Sequence, residues 1–435
     1  MSAVRRWTRR ATGALIALVA VAAFAATAQA QIYAIQGGTV HTLAGKTFVG
    51  TVVVRDGKIA EVGPDVQVPA GAEVVDATGK HVYPGMFDAM SQLGLTEVGA
   101  VDVTNDTQEQ GLFKPHLQAA TAIHPATEHI PVSRANGITH TMAVPQGGII
   151  AGQASLVGLD GWTVEEMAID PGVAMVVNFP SMQQRRRYGG FGGPSRSFSD
   201  VEKAYREQVA QLDEWMDGGR RYDKAVAAGE ARRSLELEAM AKVVNREMPV
   251  LIQANGERDI RHAVEWAEGQ NIRYVITGGS GAWQIADWLG EKNVPMILGP
   301  SQTMPAGPDE EYDEPYANAG KLHAAGVKIA FATFNSADSR TLPYEAAMTV
   351  PYGLPEEAAL EGVMKNGAEM LGLGDELGTI ETGKLANIIV TDGDPLEIQT
   401  QILDVFILGR QVSLDNKHKS LYEKYRARPK GKIIP

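Results

Sequence analysis

The chain has 435 residues, 44% hydrophobic and 21% charged, a globular mix that excludes disordered and fibrous classes. A formal charge of −12 argues against a nucleic-acid footprint, and the absence of cysteine excludes disulfide frameworks, thiolate metal sites and cysteine nucleophiles. The length suits one large domain or two moderate ones.

Residues 1–30 read as a secretory signal peptide: Arg5, Arg6, Arg9 and Arg10, an apolar run from Ala14 to Ala26, then the small-x-small site Ala28-Gln29-Ala30. Arg9-Arg10 also allows a twin-arginine export signal, although Ala11 and Thr12 follow it poorly. No later segment is apolar for long enough to span a bilayer. The expectation is a soluble protein, periplasmic or secreted after cleavage near Ala30, with no membrane or nucleic-acid partner.

Residues 31–83 carry short strand patterns. Thr51–Arg55 and Lys58–Val62 flank Asp56-Gly57, a type I′ hairpin signal. From Pro84 to Leu373 short apolar runs alternate with helical patterns, as in a parallel α/β sheet or barrel. Eight runs qualify as strands: Tyr83–Phe87, Ile138–Val144, Ser155–Leu159, Val173–Asn178, Val250–Ala254, Tyr274–Thr277, Pro295–Leu298 and Lys328–Thr333. Eight is the number that closes a (β/α)8 barrel. Between the fourth and fifth, Val201, Tyr205, Val209, Leu212 and Met216 recur at helical spacing. With a second helix over Leu235–Val244 they make a helical insertion at about 198–247. Gln183–Ser197 is glycine-rich and carries Arg185, Arg186 and Arg187, either a lid offering guanidinium groups to an anion or a solvated loop. A late helix is expected over Glu356–Leu371, and Asn387–Thr391 and Val405–Leu408 return to strand character.

The two ends share a further signature. Gly37-Gly38-Thr39-Val40 and Val53-Val54-Arg55-Asp56-Gly57-Lys58-Ile59 are followed by Val74-Val75-Asp76-Ala77-Thr78-Gly79-Lys80 and by Pro84-Gly85-Met86-Phe87-Asp88. Near the other end stand Gly378-Thr379-Ile380-Glu381-Thr382-Gly383-Lys384 and Asp392-Gly393-Asp394-Pro395-Leu396. In this order the runs resemble the amidohydrolase superfamily, closest in style to its imidazolonepropionase-like and dipeptidase-like branch. The resemblance implies a (β/α)8 TIM-type barrel over residues 84–373 and a composite β-sandwich built from 31–83 plus 374–435. It also implies hydrolysis of non-peptide carbon–nitrogen bonds in small, often cyclic, amides.

The same resemblance implies a zinc-type metal centre, held by a His-x-His after strand one, a Lys or Glu on strand four, a His on each of strands five and six, and an Asp after strand eight. Met90 and Gln92 occupy the first two positions here, and strand four offers neither Lys nor Glu. Gln253 stands on strand five and Gly278, or its neighbour Gly279, on strand six. Asn335, or Phe334 with a slip of one, stands after strand eight. Amides are weak neutral ligands and a thioether suits soft ions, so the expectation is that the family metal site is absent. The consequence is large. Metal binding lowers the pKa of water from about 15.7 to about 7, on the order of 12 kcal/mol toward hydroxide. A lone general base supplies only about 10²–10⁴-fold.

Other candidates remain. His116, His124 and His129 follow strand one and His140 lies on strand two, in no spacing typical of metal ligands. Asp338 and Arg340 follow strand eight and could bind substrate or pair with each other, and Asp88 could be catalytic or structural. Glu97, Asn105 and Asp106 lie in the first loop, Gln146-Gly147-Gly148 ends strand two, and Gly152-Gln153 precedes strand three. Gln253 and Asn255 add amides at the mouth, making a neutral polar pocket with Met90, Gln92, Gly278 and Asn335. Two readings stay open. One is a degenerate or metal-independent member that binds a small polar ligand or supports an intact paralogue, as a homo-oligomer or heterodimer. The other is an active amidohydrolase with a relocated site, in which Asp338, Asp88 or a first-loop histidine acts.

Overall fold

A computed structural model describes residues 31–182, 197–307, 309–429 and 431. The leader and the Arg185–Arg187 loop of the sequence analysis lie outside the described residues. No helix among the described residues is long and apolar enough to cross a membrane.

Both termini build one sheet. β1 (Tyr33–His41), β2 (Thr47–Arg55), β3 (Lys58–Gly63), β4 (Glu73–Asp76) and β5 (His81–Pro84) come from the N-terminal side. The β2–β3 turn has φ of 52° at Asp56 and 79° at Gly57, the two left-handed residues that a type I′ hairpin needs. β1 is bulged between Gln36 and Gly38 and changes neighbour there: its first half pairs with β4 and its second with β5. The sheet thereby folds around Ile35, Val40, Val52, Val54, Ile388 and Phe406.

The expected first barrel strand, Tyr83–Phe87, is two strands. Tyr83 and Pro84 end β5, while β6 (Met86–Ser91) opens the second sheet. The chain crosses between sheets at Gly85, where a Cβ would lie 2.2 Å from the Thr139 hydroxyl. Any larger residue would push the two sheets apart.

The second sheet has eight strands in chain order: β6, β7 (Ile138–Ala143), β8 (Ile150–Gly158), β9 (Ala168–Asn178), β10 (Val250–Ala254), β11 (Tyr274–Gly278), β12 (Met296–Leu298) and β13 (Ile329–Phe331). It forms the barrel that the sequence implies, with one departure. The third strand begins at Ile150 rather than Ser155 and runs antiparallel to both neighbours. The physical reason is connection length. β7 and β8 are joined by 144–149 alone, with Gly147 and Gly148 at φ of 72° and 75°. A parallel crossover needs about a dozen residues or more.

From β10 to β13 side chains alternate between two clusters, as a strand period of 2 requires. Val250, Ile252, Ile276, Met296, Ile329 and Phe331 pack with the surrounding helices. Leu251, Val275, Ile297, Ala330 and Ala332 form the second cluster. The insertion is a helical pair, Phe198–Ala227 and Leu235–Val244, each capped by a serine hydroxyl, Ser197 and Ser234. The late helix is broken at Lys365 into Glu356–Met364 and Asn366–Leu371. β14 (Ile388–Thr391), β15 (Ile402–Ile407) and β16 (Arg410–Gln411) complete the first sheet, β14 pairing antiparallel with β5.

Candidate functional site

β13 and β6 meet through a seam of mixed bonds. The Phe334 N–H donates to the Met90 carbonyl at 2.9 Å. The Asp88 carboxylate accepts the Thr333 N–H at 3.0 Å, the Thr333 hydroxyl at 2.5 Å and the Ser339 hydroxyl at 2.8 Å. Asp88 is fully buried, and desolvation pushes its pKa up to about 6 despite these three donors. Thr333 and Ser339 lie on the strand-eight side, while a further backbone bond comes from Met90 on its own strand, so this carboxylate links the first and last barrel strands. His140 is equally buried, stacked on Phe87 at 4.7 Å, with its Nδ1 2.7 Å from the Thr139 hydroxyl. Desolvation drives its pKa down to about 3, so it stays a neutral core imidazole.

The polar groups of the first loop pair within the loop, reach the insertion helix or face solvent. His129 Nε2 lies 2.8 Å from the Glu97 carbonyl, the Thr127 hydroxyl donates to the Glu97 carboxylate, and His116 Nδ1 lies 3.8 Å from Glu236. His124 and Asp106 are exposed. The Asn105 side-chain oxygen accepts the hydroxyls of Thr96 and Thr107 at 3.1 and 3.0 Å. Gln153, which lies inside β8, donates to the Pro115 carbonyl at 2.8 Å. The three first-loop histidines are not brought together.

The positions where the resemblance places metal ligands do not fit a metal. Met90 is buried among apolar residues, and Gln92 is half-buried beside it. Asn178, which ends β9, donates its amide to the Gly148 carbonyl at 2.9 Å. Gly278 has φ of 92°, a left-handed backbone position that disfavours any side chain, and a Cβ there would displace the Asn255 carboxamide, 2.4 Å away. After strand eight, Asn335 turns its side-chain oxygen onto the Ala337 N–H at 2.8 Å. Phe334 takes the neighbouring place with φ of 54°, a strained value for an aromatic residue. Among the described residues no three His, Asp or Glu side chains are gathered to hold a metal ion.

Asp338 and Arg340 do not meet. The Arg340 guanidinium folds back onto the Ala337 carbonyl, and the Asp338 side chain is exposed.

What remains open at the mouth is a cavity of about 280 Å³ beside β10–β13. Of the residues expected in a pocket, it takes Gln253, Asn255 and Gly278; Met90, Gln92, Asn335, Asp338 and Arg340 do not line it. The carboxamides of Gln253 and Asn255 have no hydrogen-bond partner among the described residues. Thr277, opposite Gln253 in the strand register, keeps its buried hydroxyl equally unpartnered. Leu298, Phe331 and Phe334 form an apolar wall.

Apart from Ser280 after β11 and Thr349 after β13, the rest of the lining comes from the long connection after β12, which the sequence analysis did not single out. Ser301 is fastened there by Glu345: its hydroxyl donates to the Glu345 carbonyl at 2.6 Å and lies 3.1 Å from the carboxylate, which also accepts the Gln302 N–H at 2.9 Å. Asn318 holds the opposite rim by donating to the Gly279 carbonyl and accepting the Trp283 N–H, both at 3.0 Å. A Gly-Pro-Ser run after a strand was the available signal, but its anchor lies 44 residues further along the chain.

The "amidohydrolase family" matches residues 163–416. The amidohydrolase TasK of Hapsidospora irregularis is 25% identical over 400 residues, covering 83% of this chain but 40% of that protein. An imidazolonepropionase of Aromatoleum aromaticum is 36% identical over 106 residues, 22% of this chain and 25% of that one. The chain thus spans less than half the length of these curated relatives. Among solved structures, an amidohydrolase from Thermotoga maritima superposes with a TM-score of 0.73 at 27% identity, over 88% of this chain and 99% of that one. With the family match covering more than half the chain and the barrel-plus-composite-sheet architecture in agreement, this chain belongs to the amidohydrolase family.

Proposed function

We propose that this protein is a family member that binds a small cyclic amide at the barrel mouth and does not hydrolyse it by the family's metal route. One observation carries the reading. Gln253 and Gly278 stand where the resemblance places imidazoles, and there they border a cavity with free carboxamides. A primary carboxamide offers a donor and an acceptor side by side, the complement of the N–H and C=O of a lactam or cyclic imide. Relatives named imidazolonepropionase, D-hydantoinase and dihydroorotase support a cyclic amide as the ligand class. Export through the leader is part of the same reading, as is assembly with itself or with an intact paralogue. Neither Asp88 nor His140 is among the described residues that line the cavity.

The test is direct. The purified protein is assayed for bound metal by elemental mass spectrometry, and for binding and ring opening of hydantoin and dihydrouracil. Saturable binding without stoichiometric metal and without turnover is the expected result. Stoichiometric Zn, Fe, Mn or Ni that survives dialysis, together with hydrolysis, would overturn it.

A further inference from the structure

We infer that the cavity discriminates by charge: it takes neutral or ammonium-bearing cyclic amides and rejects carboxylate-bearing ones. This rests on the binding reading above and deepens it. Among the described residues lining the cavity, the side chains are apolar or neutral polar with one exception, Glu310. No lysine, arginine or histidine is among them. Glu310 is held in place by accepting the Ala306 N–H at 2.8 Å, so its charge is fixed at the rim rather than swinging in solvent.

The rim around it carries the same sign. Asp309, Glu311 and Asp313 flank Glu310 in the connection after β12, and no basic residue lies between Ser301 and Glu314. Glu314 is paired with Lys321 at 2.7 Å, and neither of the two is among the described residues lining the cavity. An anionic substituent entering between Glu310 and the apolar wall would lose hydration and, among the described lining residues, meet only negative charge. An ammonium group there would gain a partner. The ring of the ligand has its own place: amide edge against Gln253 and Asn255, apolar edge against Leu298, Phe331 and Phe334. Phe334 holds that wall from a left-handed backbone position, fixed by its N–H bond to Met90.

Three probes separate the possibilities by calorimetry at low salt: hydantoin, 5-(3-aminopropyl)hydantoin and hydantoin-5-acetic acid. The expected order is aminopropyl tightest, hydantoin next and the acetic acid weakest, with about tenfold between the first and last. Glu310→Gln should shrink that spread at least about threefold, read as the ratio of the aminopropyl and acetic acid affinities within the variant, and added salt should act in the same direction. Phe334→Gly, which relieves the positive φ while removing the ring, should weaken all three about equally. Failure of every probe to bind would overturn the amide-site reading itself. Equal binding of all three, or tightest binding of the acetic acid, would leave the site standing and overturn the charge selectivity.

Discussion

The two halves of the barrel mouth solve the same problem in opposite ways. Over β6–β9 the connection after strand one lies flat on the β7–β8 hairpin. The Ile149 N–H donates to the Leu112 carbonyl at 2.7 Å, the Lys114 N–H to that of Ile150 at 2.9 Å, and Gln153 to that of Pro115. Gly148 is required there, since a Cβ would stand 2.7 Å from the Leu112 carbonyl oxygen. Polar groups in this half are spent on backbone. Over β10–β13 the long connections stand off and are tied down at their far ends by Glu345 and Asn318, so that Gln253 and Asn255 face open space. A family barrel mouth built for metal gathers charge from both halves. This one seals the first half and keeps neutral amides in the second.

The sharpest way to break this contrast is at the seam between the halves. Asp88→Ala strands the buried donors of Thr333, Ser339 and Met90 and should cost about 3–5 kcal/mol of unfolding free energy near pH 4, measured by urea denaturation. The cost should then shrink with pH. Burial raises the folded pKa of Asp88 to about 6, above the ordinary value of 3.8, so between these limits the folded state holds the extra proton. Wild-type stability from this group therefore falls as pH rises, and the penalty of the alanine variant should shrink by about 2–3 kcal/mol by pH 7. A pH-independent penalty would show that Asp88 is ionised throughout.

Restoring the strand-six imidazole by Gly278→His should fail. The positive φ should cost about 1–3 kcal/mol, and metal should bring none of it back. A stable, metal-binding variant would mean that the second half still remembers a metal cage.

His140 works in the opposite sense to Asp88. Its folded pKa of about 3 lies below the ordinary 6.5, so the unfolded state binds the extra proton below pH 6.5. Stability from this group falls as pH drops, by about 2 kcal/mol at pH 5, and His140→Phe should flatten that acid limb of a stability profile.

The smallest effects separate the halves most cleanly. Gln153→Ala should cost about 1–2 kcal/mol of stability and leave hydantoin binding unchanged. Gln253→Ala should leave stability unchanged within about 0.5 kcal/mol and weaken binding about fivefold to tenfold. Interchanged outcomes would reverse the assignment of which amide is structural.

How much of this was legible in the sequence differs between the same regions. Asp56-Gly57 named its hairpin because two adjacent left-handed residues leave a local composition signal. β10 and the helix Leu235–Val244 matched residue for residue because their periodicity is uninterrupted. The antiparallel direction of β8 follows from connection length rather than strand pattern: Val144–Ile149 is too short for a crossover helix, a signal that a count of strands does not carry. Tyr83–Phe87 merged two strands because apolar residues continue through Gly85, and only the contact with Thr139 shows the break. At the site, Gln253 and Asn335 look alike in a one-dimensional string. They differ because one amide is consumed by the Ala337 N–H and the other is not, a distinction that belongs to three-dimensional neighbours. Glu345 was invisible for the same reason.

The composite sheet carries a consequence for biosynthesis. β5 finds its antiparallel neighbour only in β14, some three hundred residues later in the chain. Until that strand leaves the ribosome, Tyr83 and Val82 sit on a bare, apolar edge of five N-terminal strands. Such an edge is a template for pairing with any other nascent chain. The long-range closure also makes the final docking step slow relative to the local β7–β9 meander, whose contacts are close in sequence. Deleting residues 388–411 should therefore yield an aggregating chain rather than a smaller folded barrel.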